Sequence, residues 1–475
     1  MASPAAASKS ADPTPPSGLK RALSLWGLIL YGIIVIQPVA PMSPFGAVSN
    51  KANGHVATAM ILAMVAMACT AFGYGRMARA YPSAGSAYTY VSREVHPVPG
   101  YLTGWAMAMD YVLNPLICTI VCSKLMLNYT ALVPYEIWAV LFAGIFVALN
   151  LVGIKTNAKV NALLAAFMGA VIVWILFAAA RYLLNMPSYP EGFFVKPFYD
   201  PATFSLKALL GGTSIAVLTY IGFDGISTLS EEVENPKRNV LLATVLTCFI
   251  VGFIAVLMCW AAQLVWFPET TFPEAIIESA YVHVTGKMGG ETLFGVVNAT
   301  LLVATIGSGM ASLLGAARLL YGMGRDNAIP RSFFGFINER GVPRNNVLLI
   351  GGIALTGALL ASPALNAAVN AALGRQDIQL MSFTRAVELL NFGALIAFMG
   401  VNVAAFVRYV VRDGDRSPAM ILPPIVGFLL CGYLWINLGT TALIWGFTWS
   451  LLGYLYGLWV KRRSGKLSLG DMSEG

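Results

Sequence analysis

Twelve apolar stretches, each long enough for a helix to cross a bilayer, constrain this chain more than any other feature. A crossing helix needs about 20 mostly apolar residues, since it rises about 1.5 Å per residue through a hydrocarbon layer about 30 Å thick. The stretches run over 24–49, 55–80, 100–131, 135–154, 158–184, 205–231, 238–267, 290–322, 346–362, 382–412, 419–439 and 441–461. Backbone polar groups must be paired inside lipid. The expected fold is therefore all-α: an integral membrane protein of about twelve transmembrane helices. Only 11% of the 475 residues are charged, less than half the soluble-domain share of about 25%. That excludes a soluble globular protein, a disordered chain and, despite a net charge of +8, a nucleic-acid-binding module.

The positive charge reads as orientation instead. Of the 30 Lys and Arg residues, 22 fall on the side of the membrane that holds the N-terminus. The other eight are Lys51, Lys124, Arg181, Lys196, Lys207, Lys287, Arg375 and Arg385. Lys and Arg accumulate on the cytoplasmic side, so both termini are expected there. Residues 1–20, rich in Ala, Ser and Pro, read as a disordered cytoplasmic tail. Residues 21–462 form the membrane domain, and 463–475 a second cytoplasmic tail. The first apolar run is too long for the core of a cleavable leader.

Two spans cannot be continuous helices. The first reads YGIIVIQPVAPMSPFGAVSN, with Pro38, Pro41 and Pro44 inside it. Each proline removes a backbone donor and clashes with the preceding turn, so an unwound stretch is expected near Gln37–Gly46. The sixth reads GGTSIAVLTYIGFDGISTLSEE, with Gly222 and Gly225 around Phe223 and Asp224; glycine weakens a helix and lets a ligand approach the backbone. Breaks five spans apart are the pattern of inverted repeats, spans 1–5 and 6–10, with the broken ends facing each other near the bilayer midplane.

Ionisable groups at membrane depth are costly and are usually paired or functional. Asp110, in GWAMAMDYVLNP, is either a counter-charge for a cationic solute, a proton carrier, or a structural partner of a helix end or of Lys124. Asp224 either serves the site or caps the second half of the sixth span. Glu231 and Glu232, in SEEVENPKRN, are a solvated charge run or an inner gate. Glu388 lies at the start of the tenth span and could attract cations. Six cysteines lie within apolar runs and three histidines at segment ends, without metal-ligand spacing. No nucleophile–base pair or phosphate loop is present. Neither a cofactor, a metal nor an enzymatic activity is expected.

Four segments carry a resemblance: YPSAGSAYTYVSREVHPVPGYLTGW after the second span, GFDGISTLSEEVENPKRN in the sixth, ARLLYGMGRDNAIP after the eighth and LLNFGALIAFMGVN in the tenth. In this order they resemble the amino acid–polyamine–organocation transporters, and within them the bacterial putrescine importers. The resemblance implies a LeuT-like fold of two inverted five-helix repeats plus two extra helices. It implies alternating access, with spans 1, 2, 6 and 7 rocking against spans 3, 4, 8 and 9. The implied substrate contacts are Gln37, Pro38, Val39, Ala40, Pro41, Met42, Ser43, Asp110, Tyr220, Gly222, Phe223, Asp224 and Gly225. Ser308 and Ser312 would neighbour an ion site, with Asp110 the alternative carrier of coupling.

Two positions depart from the importers' pattern. Ser43 stands where they carry an aspartate, and Met168 stands where some members carry a lysine in place of sodium. With one carboxylate fewer, the reading leans to ion-coupled uptake of an amino acid or monoamine, driven by a proton or sodium. A putrescine or polyamine importer is the alternative. A sensor that binds the solute without moving it is the alternative of another class.

Overall fold

The computed structural model describes residues 24–81, 86–152, 158–229, 233–325, 329–338 and 341–464. The two expected tails lie outside the described residues, except that Arg463 and Ser464 end the last helix. Glu231 and Glu232 also lie outside them.

Among the described residues, ten helices are long and apolar enough to cross a membrane, or eleven when Arg344–Leu360 and Pro363–Leu373, bent by 58°, count as one span. The twelfth stretch is the helix Thr440–Ser464, whose tryptophans, tyrosines and glycines dilute its hydropathy. The first span is two pieces, Leu25–Ile36 and Phe45–Lys51. The second is Val56–Ala80, the third Pro97–Leu127, the fourth Tyr135–Val152 and the fifth Ala158–Leu184. The sixth begins as Leu206–Ala216, and the seventh is Pro236–Trp266. The eighth is the part of Ala280–Arg325 beyond a kink at Gly290, where φ is 67°. The tenth is Phe383–Phe406, ending in a π-helical turn, and the eleventh is Pro418–Ile436.

The helices pack in two groups. The second span lies along the seventh and sixth, and the first along the seventh. The third packs on the eighth, ninth and fourth, and the fourth on the ninth. Lipid offers no hydrophobic drive between helices, so small residues that allow close approach decide such contacts. Gly252 makes room for Met64 where the seventh span meets the second, and Gly393 for the carbonyl of Ala106 where the tenth meets the third.

The last span is fastened to the third by a reciprocal pair. The Trp105 indole donates to the Trp449 carbonyl at 3.0 Å, and the Trp449 indole to the Trp105 carbonyl at 3.1 Å. Their rings stack at 4.8 Å. Gly453 and Gly457 let the last helix settle on Trp105 and Tyr101. The helix that carries Asp110 is thereby fastened to the last span as well as to the eighth and ninth.

Candidate substrate site

Both expected breaks are present. In the first span the α-helix stops at Gln37, whose N–H still bonds Ile33 at 3.0 Å. Gln37 takes a left-handed φ of 70°, a conformation that costs a non-glycine residue on the order of 1 kcal/mol or more. Its side chain accounts for its retention: the amide donates to the Ala304 carbonyl of the eighth span at 2.8 Å. A single tight turn, Ala40–Met42, follows, with Ala40 bonding to Gln37 and Met42 to Val39. The α-helix resumes after Pro44, which needs no donor at that position. Gly46 then lies so close to the Ile277 carbonyl that a β-carbon would overlap it.

In the sixth span the α-helix tightens to a 3-10 turn at Val217–Tyr220 and breaks at Gly222. Gly222 has φ 119°, which glycine alone adopts readily. A second 3-10 segment, Phe223–Leu229, follows. The two breaks meet at Val35, which lies against both Gly222 and Gly225.

Asp110 and Asp224 are both buried and close enough to act on each other's charge. The Asp224 carboxylate faces the backbone N–H groups of Gly222, Asp224 and Gly225 and accepts from the Tyr111 hydroxyl at 3.4 Å. It is thus turned to the backbone of its own break, within electrostatic reach of Asp110. Among the described residues, Asp110 has no hydrogen-bond or ion-pair partner. Lys124, considered as its partner, instead meets Glu278. A charge at this depth costs roughly 2.5–3.5 kcal/mol or more, so an unpaired carboxylate there needs either a cation or a proton.

The other expected residues make contacts of their own. The Tyr220 hydroxyl donates to the Met60 carbonyl at 3.0 Å and so braces the second span. Phe223 packs edge-on against Tyr74 at 5.5 Å and beside Phe398 at 5.3 Å. Val39 and Met42 are fully buried in the core, and Pro38 and Pro41 at the break are buried. Ala40 and Ser43 are half-buried. The Ser312 hydroxyl is spent on its own helix, donating to Ser308 at 2.8 Å and Gly309 at 3.2 Å. Ser308 faces Cys118 of the third span, and Met168 is buried in the core. Among the described residues, no cluster of His, Cys, Asp and Glu could hold a metal ion.

Tyr111 was missed by the sequence reading. It lies within electrostatic reach of Asp110, Asp224 and Tyr31, and its ring rests on Gly315. Its signal was its place next to Asp110, which puts a phenol one residue around the same helix.

The amino acid permease family profile matches residues 42–397. The low-affinity putrescine importer PlaP of Escherichia coli is 31% identical over 450 residues, covering 92% of this chain and 93% of the relative. The branched-chain amino acid permease BcaP of Bacillus subtilis is 23% identical, covering 95% of each. The vacuolar cationic amino acid transporter 4 of Arabidopsis thaliana is 27% identical, covering 84% of this chain and 65% of that one. With this profile match and this relative, and with its first and sixth spans both broken, the chain belongs to the amino acid permease family, within the amino acid–polyamine–organocation superfamily of multi-pass membrane transporters.

Proposed function

We propose that this chain imports a small organic amine across the bacterial cytoplasmic membrane, with a diamine of the putrescine type favoured over an amino acid. The observation that carries this reading is that two buried carboxylates, Asp110 and Asp224, lie within electrostatic reach of each other, and among the described residues Asp110 has no basic partner. Such a site attracts ammonium groups and repels a carboxylate. An amino acid would need free N–H groups for its own carboxylate. At the sixth-span break those of Gly222, Asp224 and Gly225 already face the Asp224 side chain. The absence of an aspartate at Ser43 weighs less when Asp224 can supply the second carboxylate. The similarity to a putrescine importer supports the same reading.

In this reading both termini are cytoplasmic, residues 21–462 are the transporting domain, and uptake is coupled to a proton or sodium by alternating access. The test is uptake of labelled putrescine into proteoliposomes by the wild type and by Asp110→Asn, with and without proton and sodium gradients. Wild-type accumulation that Asp110→Asn abolishes at every concentration is expected. Preserved uptake in the variant would return Asp110 to a structural role. An amino acid carried in place of putrescine would move the reading to the second class of substrate.

A further inference from the structure

Two buried carboxylates lie at the face of the molecule away from the described chain ends, and each meets a lysine. Glu388 holds Lys51 in a hydrogen-bonded pair at 3.0 Å. Glu278 holds Lys124 only loosely, at 4.0 Å, although both side chains are largely buried. One Glu278 oxygen, Oε2, is buried without a hydrogen-bond partner. The Lys124 ammonium also lies over the Tyr135 ring, 5.8 Å from its centroid. Tyr135 is pinned by its hydroxyl, which donates to the Ala358 carbonyl at 3.1 Å. A carboxylate and the face of an aromatic ring are together a binding box for a primary ammonium.

The box lies in line with Asp110. Asp110, Asn114, Ile117, Val121 and Lys124 follow the third span at alternating spacings of four and three, so they share one face of the helix. Fourteen residues separate Asp110 from Lys124, about 21 Å along the axis. The segment Glu274–Ser279 that carries Glu278 rests on both the third span and the half-helix Phe45–Lys51.

We propose that Glu278 and Tyr135 form an external access subsite for the ammonium group of the substrate, which Lys124 occupies until the substrate displaces it. The inference rests on the amine reading of the central site and on its orientation. Removing Lys124 from a buried carboxylate is unfavourable unless another cation replaces it. The box therefore exchanges its lysine for an amine and not for a neutral solute. The loose 4.0 Å pair is the exchangeable one; the 3.0 Å Lys51 pair is not.

Uptake of labelled putrescine by proteoliposomes tests this through opposite signs. Lys124→Met removes the resident competitor and should lower KM about threefold or more. Glu278→Gln removes the acceptor and should raise KM about fivefold or more, with kcat in both within about twofold of wild type. A merely structural ion pair predicts impairment in both, with recovery in the double variant, and that result overturns the subsite. Lys124→Cys adds a readout on protein that is already folded and active. An aminoethyl thiosulfonate, which restores an ammonium at that position, should return KM to the wild-type value, and a neutral methyl reagent should not. The native cysteines are buried or half-buried, and wild-type protein treated alike is the control. No restoration by the aminoethyl reagent overturns the proposal even if Glu278→Gln fails to fold. No putrescine uptake by the wild type overturns the central reading, and this inference with it. Uptake with an unmoved KM in the variants overturns this inference alone.

Discussion

In the first span three prolines withdraw backbone donors, and the chain turns through Gln37 with its amide tied to Ala304. In the sixth span a single glycine, at φ 119°, lets the helix stop, and the N–H groups released there turn to Asp224. The proline break is thus anchored outward, across to the eighth span, and carries no charge. The glycine break is anchored inward, on its own acid, and carries the charge that faces Asp110. Prolines make a break that persists whatever is bound, because the missing donors cannot be replaced. Glycine makes one whose released N–H groups turn to Asp224, and a cation bound nearby acts directly on that carboxylate.

This contrast can be broken at three points. The largest effect is expected for Gly222→Val. The backbone there lies where a β-branched residue is strained by about 1–3 kcal/mol, and its β-carbon would crowd Val35. Putrescine uptake should fall tenfold or more with protein yield retained; uptake near wild type would mean the glycine break is not needed. Gln37→Leu removes one hydrogen bond to the eighth span, worth about 1 kcal/mol. It should lower the thermal midpoint of the detergent-purified protein by a few degrees and slow uptake about fivefold, because the prolines keep the break open. A complete loss of uptake would point to Gln37 as a substrate contact. The smallest effect is expected for Gly225→Ala. Gly225 has no positive φ, and its β-carbon would touch only Val35, at 3.9 Å. Uptake within twofold of wild type is expected; a tenfold loss would show that the ligand fills that space.

Most of the architecture could be read from the residues, because lipid leaves a chain few options. The first-span break needed only the spacing of Pro38, Pro41 and Pro44. The sixth was legible as glycine around Asp224, yet two like glycines turned out to have unlike roles: φ separates them, and composition does not encode φ at a single residue. Side-chain direction was the part out of reach. Tyr220 and Phe223 lie in the right segment but turn toward the second and tenth spans. Tyr111, outside the expected set, turns toward Asp224. Around a helix, one residue is about 100° of rotation, and motif position alone does not resolve which neighbour fills that angle. Lys124 shows the same limit, since its partner Glu278 is 154 residues further along the chain.

The reciprocal Trp105–Trp449 pair has a practical consequence. Two indoles stacked at 4.8 Å behave as one coupled chromophore, and their near-ultraviolet dichroism depends on how the rings are turned toward each other. One ring belongs to the helix that presents Asp110, five residues further on. The chain therefore carries a built-in optical gauge of that helix, readable in unlabelled protein as substrate is added.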